Sequence, residues 1–198
     1  MKFPFITLNS GAVFHYGDHR SRVTIPDIAH HLARIPRYAG ATDGEPYVVG
    51  QHSVLVHDIL ASWGANARVR KYGLYHDAHE MLCSDMPTPF QNYVTGLAGF
   101  NVIESAKEAL DECIFSSVGL PFPIGQGDYQ QVKKADYTAL VAEASQLFAA
   151  RPCWLEEWRI AHDVDASAYD IKVEVQGWKA AKASFLKTAQ QYSLATAA

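Results

Sequence analysis

Apolar and polar positions alternate over Phe3 to Tyr16, on either side of Asn9-Ser10-Gly11, which is the pattern of a short two-stranded hairpin closed by a glycine-containing turn. From Thr24 onward the apolar positions recur at helical spacing instead. Thr24, with Pro26 and Asp27 in the following turn, predicts an N-cap and a helix to about Ile35, stopped by Pro36. Arg37 to Gly50 carries three glycines and a proline and reads as a loop. Helices are then predicted at about Gln51 to Trp63, Ala67 to Cys83, Asn101 to Val118, Asp128 to Ala150 and Val173 to Tyr192. Ser84 to Pro89 cannot continue a helix, because proline lacks the amide donor and disfavours α geometry in the residue before it. Pro121-Phe122-Pro123 and Arg151-Pro152 are further breaks, and Leu194 to Ala198 are expected to fray.

No repeat, low-complexity tract or linker interrupts this pattern. The predicted architecture is mostly α, a single helical domain over 1–198, with a hairpin at about 3–16, a core at about 24–150 and a C-terminal helix at about 173–192. The chain has 198 residues, 48% of them apolar, which is enough for one continuous core. Its formal charge of -4 provides no global positive field for a nucleic-acid polymer, so any phosphate must be gripped by a few local groups. No apolar run approaches the length of a membrane span, and the N-terminus lacks the apolar stretch of a signal peptide; a cytoplasmic protein is expected. Three cysteines, Cys83, Cys113 and Cys153, form no CxxC pair and read as free thiols.

Nine histidines is the unusual count, and it points to metal chemistry. His52, the adjacent pair His76-Asp77, and Asp136 fall on three predicted helices. His76 and Asp77 lie ~100° apart around one helix, so both can lean toward one point. A mixed nitrogen and oxygen shell of this kind suits Zn, Mn, Fe, Co or Ni better than calcium. Other readings fail on the residues: His79-Glu80 is followed by Met81-Leu82-Cys83, so neither HExxH nor HxxEH is present, and GxSxG, GxxxxGK[ST] and GxGxxG are absent. Cys83, beside Met81 and Leu82, reads as a buried thiol and not as a nucleophile.

His52 in VVGQHSV, His76-Asp77 in GLYHDAHE, the following SDMPTPF, and Asp136 in VKKADYTALVAEA resemble the HD-domain phosphohydrolases, in the branch of bacterial 5'-deoxynucleotidases and phage dATP triphosphohydrolases. The resemblance covers about Thr24 to Ala150. It implies an HD-type helical bundle in which His52, His76, Asp77 and Asp136 hold one divalent transition metal, with a second divalent ion arriving on the substrate. By the same resemblance Asp77 and Glu80 serve catalysis, Glu80 positioning or deprotonating the attacking water. Without the motif, Glu80 reads as a solvated helix carboxylate.

Arg37-Tyr38 matches the family's Arg-aromatic pair, a guanidinium fork for phosphate beside a ring for the nucleoside; Tyr38 reads equally as core packing. Asp85 opens the D-x-P-T-P turn and by resemblance accepts a hydrogen bond from the sugar, with Pro87, Thr88 and Pro89 walling the pocket; alone it reads as a turn carboxylate. Gln91 stands where relatives often carry lysine, and Lys133 or Lys134 can compensate or be solvated helix charges. His57 and the remaining histidines read as structural, and His79 as an outer partner of the site.

The resemblance implies a homo-oligomeric hydrolase that acts on a small deoxynucleotide (dATP, dADP or dAMP) without nucleic-acid or membrane partners. The products would be a deoxynucleoside plus phosphate or polyphosphate. The rival readings are an HD hydrolase of another nucleotide or phosphoester, and a non-catalytic nucleotide-binding module.

Overall fold

The computed structural model of the chain describes residues 3–193, so the expected fraying of Leu194 to Ala198 lies outside it. Strand β1 (Phe5–Thr7) pairs antiparallel with β2 (Val13–His15), Phe5 opposite His15, and Gly11 adopts a φ of 86° in the turn between them. Helix α1 (Ile25–Leu32) starts where Thr24 predicts. The Thr24 side chain accepts the Asp27 N–H, and the helix ends three residues before the expected stop. The segment expected as loop holds a short 3-10 turn, Tyr38–Gly40, and is closed on itself by a bridge between Pro36 and Val48.

Helix α2 (Val49–Ser62) begins two residues earlier than predicted. The single helix expected over Ala67 to Cys83 is instead α3 (Ala67–Tyr75) and α4 (Glu80–Cys83), joined by a turn. The cause is a local tightening: Ala78 and Glu80 donate to the carbonyls three residues back, Tyr75 and Asp77, at 3.0 Å each. His76, Asp77 and Glu80 therefore do not share one regular helical face.

Helix α5 (Thr88–Ala98) was not anticipated from the prolines that precede and enter it. Pro89 lies in its first turn, where no intrahelical N–H is needed, so the residue that signals a break there starts a helix. Asn101 caps α6 (Val102–Val118), followed by α7 (Gln126–Gln146) and by a second unanticipated helix, α8 (Leu155–Ala161). A 3-10 turn at Ala166–Asp170 precedes α9 (Trp178–Ser193), which begins five residues later than predicted.

The principal core runs from Leu8 and Phe14 of the hairpin region, through Ile28, Val56, Leu60, Leu74 and Ile114, to Phe185 and Ala189 of α9. Burying each large aliphatic or aromatic side chain there contributes about 1.5–3 kcal/mol. Val141, Ala144, Leu155, Val164 and Ala168 form a smaller cluster where α7 meets α8. Helix α2 packs against α3 and α7, which sets the spacing of the histidines and acids they carry. A Cβ on Gly73 would stand 2.4 Å from Leu60 Cδ1, so glycine permits the close approach of α3 to α2. Among the described residues no helix is long and apolar enough to cross a membrane.

Candidate metal centre and cleft

His52 enters from the first turn of α2 and is completely buried; His76 follows the last residue of α3. Their Nε2 atoms face each other at 3.2 Å. Asp136 of α7 places Oδ1 3.1 Å from His52 Nε2 and 3.8 Å from His76 Nε2, while Asp77 Oδ2 lies 3.6 and 3.2 Å from the same two nitrogens. The opposite ring nitrogens are occupied. His52 Nδ1 is bonded to Glu143 Oε1 at 2.7 Å and His76 Nδ1 to the Gly73 carbonyl at 2.8 Å, which turns both Nε2 atoms toward the centre.

These spacings test whether the residues suit a metal. Neighbouring ligand atoms around a divalent transition ion with bonds of about 2.0–2.2 Å stand about 3–3.5 Å apart. The separations here centre on that range, and the donor set of two imidazoles and two carboxylates is one that Zn, Fe, Co, Ni and Mn accept. Ligand atoms of His52, His76 and Asp136 lie within 4.8 Å of one another, so the group fits such an ion. The electrostatics agree. Burial alone would depress the His76 imidazole, but Asp77 and Asp136 outweigh it and push it up to about 10. Burial would raise Asp136, yet Lys133 and the two histidines hold its carboxyl well below the usual range. The cluster is short of positive charge at its centre.

Behind His52 stands Glu143, a fully buried carboxylate two turns after Asp136 on α7. Its Oε2 accepts from Arg37 Nε at 3.2 Å and from the Tyr38 hydroxyl at 2.9 Å. Arg37 also reaches Asp77 Oδ2 with Nη1 at 3.4 Å, so one guanidinium links Asp77 to the buried acid. Sequence reading passed over Glu143. The available signal was its spacing, since residues seven apart share a helix face with Asp136.

A cavity of about 770 Å³ opens over this cluster. Arg37, Tyr38, Asp77, Glu80, Asp85, Gln91, Lys133 and Asp136 line it together with Pro87, Thr88 and Pro89, so the residues singled out from the sequence gather there, with His52 and His76 beneath. Glu80 is buried, and burial followed by the charges of Asp77 and Asp85 raises its carboxyl well above the ordinary value. Its Oε2 has no hydrogen-bond partner in the protein. Asp85 is raised in the same way, chiefly by burial. Lys133 pairs with Asp136 Oδ2 at 3.1 Å, whereas Lys134 points to Asp163 and away from the cleft lining.

Gln91 turns its amide to the Met86 carbonyl at 2.5 Å, and Lys107, unmarked in the sequence, adds a cation to the wall. His79 is bonded through Nδ1 to Asp111 at 2.9 Å, and His57 is held between Asp58 and the Tyr192 hydroxyl at 2.8 Å each.

A helical protein with a two-histidine, two-aspartate cluster, His52 buried and the other three partly so, under a mixed cationic and aromatic cleft is thus the class that the geometry defines. No family model matches the chain. It is 31% identical over 144 residues to the uncharacterized protein YfdR of Escherichia coli K12, covering 72% of each chain, and it belongs to the same family as YfdR. It is also 34% identical over 128 residues to an uncharacterized protein of Rhodobacter capsulatus, and that match spans 63% of the length of each. Among solved structures it is similar to the HD phosphohydrolase DatZ of cyanophage S-2L, bound to dA and one catalytic Zn2+ ion, at 15% identity and a TM-score of 0.49, covering 86% of this chain and 99% of DatZ.

Proposed function

We propose that this chain is a metal-dependent phosphohydrolase of the HD-domain type that cleaves deoxynucleotide 5'-phosphates to a deoxynucleoside and phosphate or polyphosphate. The observation that carries the reading is the convergence of His52, His76, Asp77 and Asp136 beneath a cleft that also holds Arg37, Lys133 and Glu80. These four side chains would hold the ion. When bound, it supplies Lewis-acid polarisation of a phosphoryl oxygen and lowers the pKa of water.

The remaining work falls to the chain's own groups. Arg37 and Lys133, each already tethered to a proposed ligand carboxylate, offer their free donors to phosphate oxygens, and Lys107 adds charge to the cleft lining. Glu80, with one oxygen unpartnered, orients the attacking water, takes its proton as the new P–O bond forms, and returns a proton to the departing 5'-oxygen. Asp85, in the cleft lining with Pro87, Thr88 and Pro89, accepts from the sugar hydroxyl. Adenine is the proposed base. No nucleophilic side chain enters the scheme, so no covalent enzyme intermediate forms.

The test is phosphate, pyrophosphate and triphosphate release from dAMP, dADP, dATP and ATP, using chelator-stripped protein reloaded with Zn, Co or Mn. Metal-dependent release with deoxynucleotides ahead of ATP is the expected result. Full turnover by stripped protein, or none with any ion on any substrate, would overturn the proposal.

A further inference from the structure

Part of the cleft lining takes no role in the scheme above. Lys133, Asp136, Tyr137 and Leu140 of α7 all line the cavity, and at 1.5 Å per residue they cover about 10 Å of its floor. Helix α8 lands on Tyr137, immediately after the ligand Asp136. The Tyr137 ring meets Trp158 at 5.2 Å and His162 at 4.9 Å, both edge-on, while Trp158 and His162 stack at 3.9 Å and 19°.

His162 Nδ1 is bonded to the Trp158 carbonyl at 2.8 Å. A carbonyl can only accept, so Nδ1 carries the proton and Nε2 of the neutral ring is left as an acceptor. Trp154, one turn earlier, also lines the cavity and remains 42% exposed. Three aromatic rings, one in α8 and the other two at its N-cap and C-cap, thus recur every four residues and reach one cleft.

We infer that Trp154, Trp158 and His162 form an aromatic shelf for the planar base of the substrate, an inference that rests on the phosphohydrolase reading above. A nucleotide is anionic at one end and a flat π system at the other, and the cleft lining offers both chemistries: Arg37, Lys107 and Lys133 are cationic, and Trp154, Trp158 and His162 are aromatic, with Lys133 Nζ 5.5 Å from the centroid of the Tyr137 ring on which Trp158 and His162 pack. Tyr38, read from the sequence as a ring for the nucleoside or as core packing, also lines the cleft, with its hydroxyl donating to Glu143 and its ring edge-on against Phe148 at 5.2 Å, so α8 supplies aromatic surface beyond it. Stacking tolerates any base but rewards area, so the shelf favours purines over pyrimidines, with His162 Nε2 as an acceptor for a base-edge amine.

Two arms test it. Metal-loaded wild type and Trp154→Ala are compared on dAMP and on 2-deoxyribose 5-phosphate, which carries the same phosphoester without a base. The ratio of kcat/KM between the two substrates should fall about 5- to 150-fold in the variant, chiefly through KM. Trp158→Leu, which keeps apolar filling beside Tyr137, should lower the same ratio. An unchanged ratio in both variants overturns the shelf.

The second arm needs no hydrolysis. Deoxyadenosine is titrated into as-purified wild type and Trp154→Ala, followed by tryptophan fluorescence and calorimetry, with weaker binding by a similar factor expected in the variant. If neither phosphoester is hydrolysed, this arm alone decides the shelf, and the release assay on dADP and dATP decides the phosphohydrolase reading separately: absent binding, or equal binding by both proteins, overturns the shelf.

Discussion

Glu143→Gln is the substitution that asks most of the site, because the acid is fully enclosed by the protein and three side chains of the proposed site hang on it. It is completely buried, with bonds to His52 Nδ1 at 2.7 Å, Arg37 Nε at 3.2 Å and the Tyr38 hydroxyl at 2.9 Å. Hydrogen bonds to a charged group are each worth about 1.5–3 kcal/mol, but three on one carboxylate do not add independently. Arg37 keeps a second acceptor in Asp77 at 3.4 Å, which offsets part of the loss. Breaking a buried ion pair by removing one partner costs about 3–5 kcal/mol. Glutamine retains the volume and one carbonyl acceptor, so the expected loss for Glu143→Gln lies at or just under the lower end of that range, about 2–3 kcal/mol. Against a typical total of 5–15 kcal/mol this leaves a folded but clearly weakened protein.

The same substitution loosens His52, whose ring orientation Glu143 fixes, and losing an outer partner of a metal-binding histidine typically costs about 10- to 100-fold in metal affinity. Urea unfolding of metal-free protein isolates the stability effect, and competition for Zn against a chromophoric chelator isolates the affinity. A variant within about 0.5 kcal/mol of wild type, the range of ordinary surface substitutions, and with Zn affinity within twofold, would refute the assignment of Glu143 as the anchor of the site.

His76→Ala should remove metal retention and hydrolysis together; elemental analysis showing a wild-type metal content in the variant would contradict the ligand set. Glu80→Gln should keep metal and nucleotide binding while turnover falls by roughly 100-fold or more, and a wild-type rate would return Glu80 to a passive carboxylate. Ser84 holds φ 63° and ψ 164°, a backbone region that only glycine occupies freely, so Ser84→Gly should stabilise by about 1–3 kcal/mol and raise the melting temperature by several degrees; a lower melting temperature would count against strain there. Burial and the nearby Glu80 push the Cys83 thiol up to about 11, and Cys113 is buried, so a thiol reagent at pH 8 should modify exposed Cys153 quickly and the other two only on unfolding. A second fast equivalent would show that the native core opens.

What could be read from the sequence was what local chemistry dictates. Thr24 and Asn101 each place an oxygen where a helix start needs an acceptor, and both helices begin there. The four proposed ligands were visible because imidazole and carboxylate are the only side chains at those positions that suit a metal, whatever the tertiary packing. The failures have a common cause in context. Pro87 and Pro89 signal a break, but whether a proline ends one helix or begins the next depends on what the chain packs against afterwards. The α3–α4 discontinuity is set by bonds three residues back, for which a periodic pattern carries no cue. Glu143 looks like any solvent-facing acid of a long helix until α2 brings His52, and the loop after α1 brings Arg37, over the same face of α7. A buried charge is invisible in one segment because its compensation comes from others, here 91 and 106 residues away. The same holds for Trp154, Trp158 and His162 in and beside α8, which carry no signal in the sequence until the fold sets them in the lining of a cleft that also carries acids and cations. Side chains whose type suits a metal or a phosphate therefore stood out in the sequence, whereas the groups that hold them in place, and those that only packing sets along the cleft, had to wait for the fold.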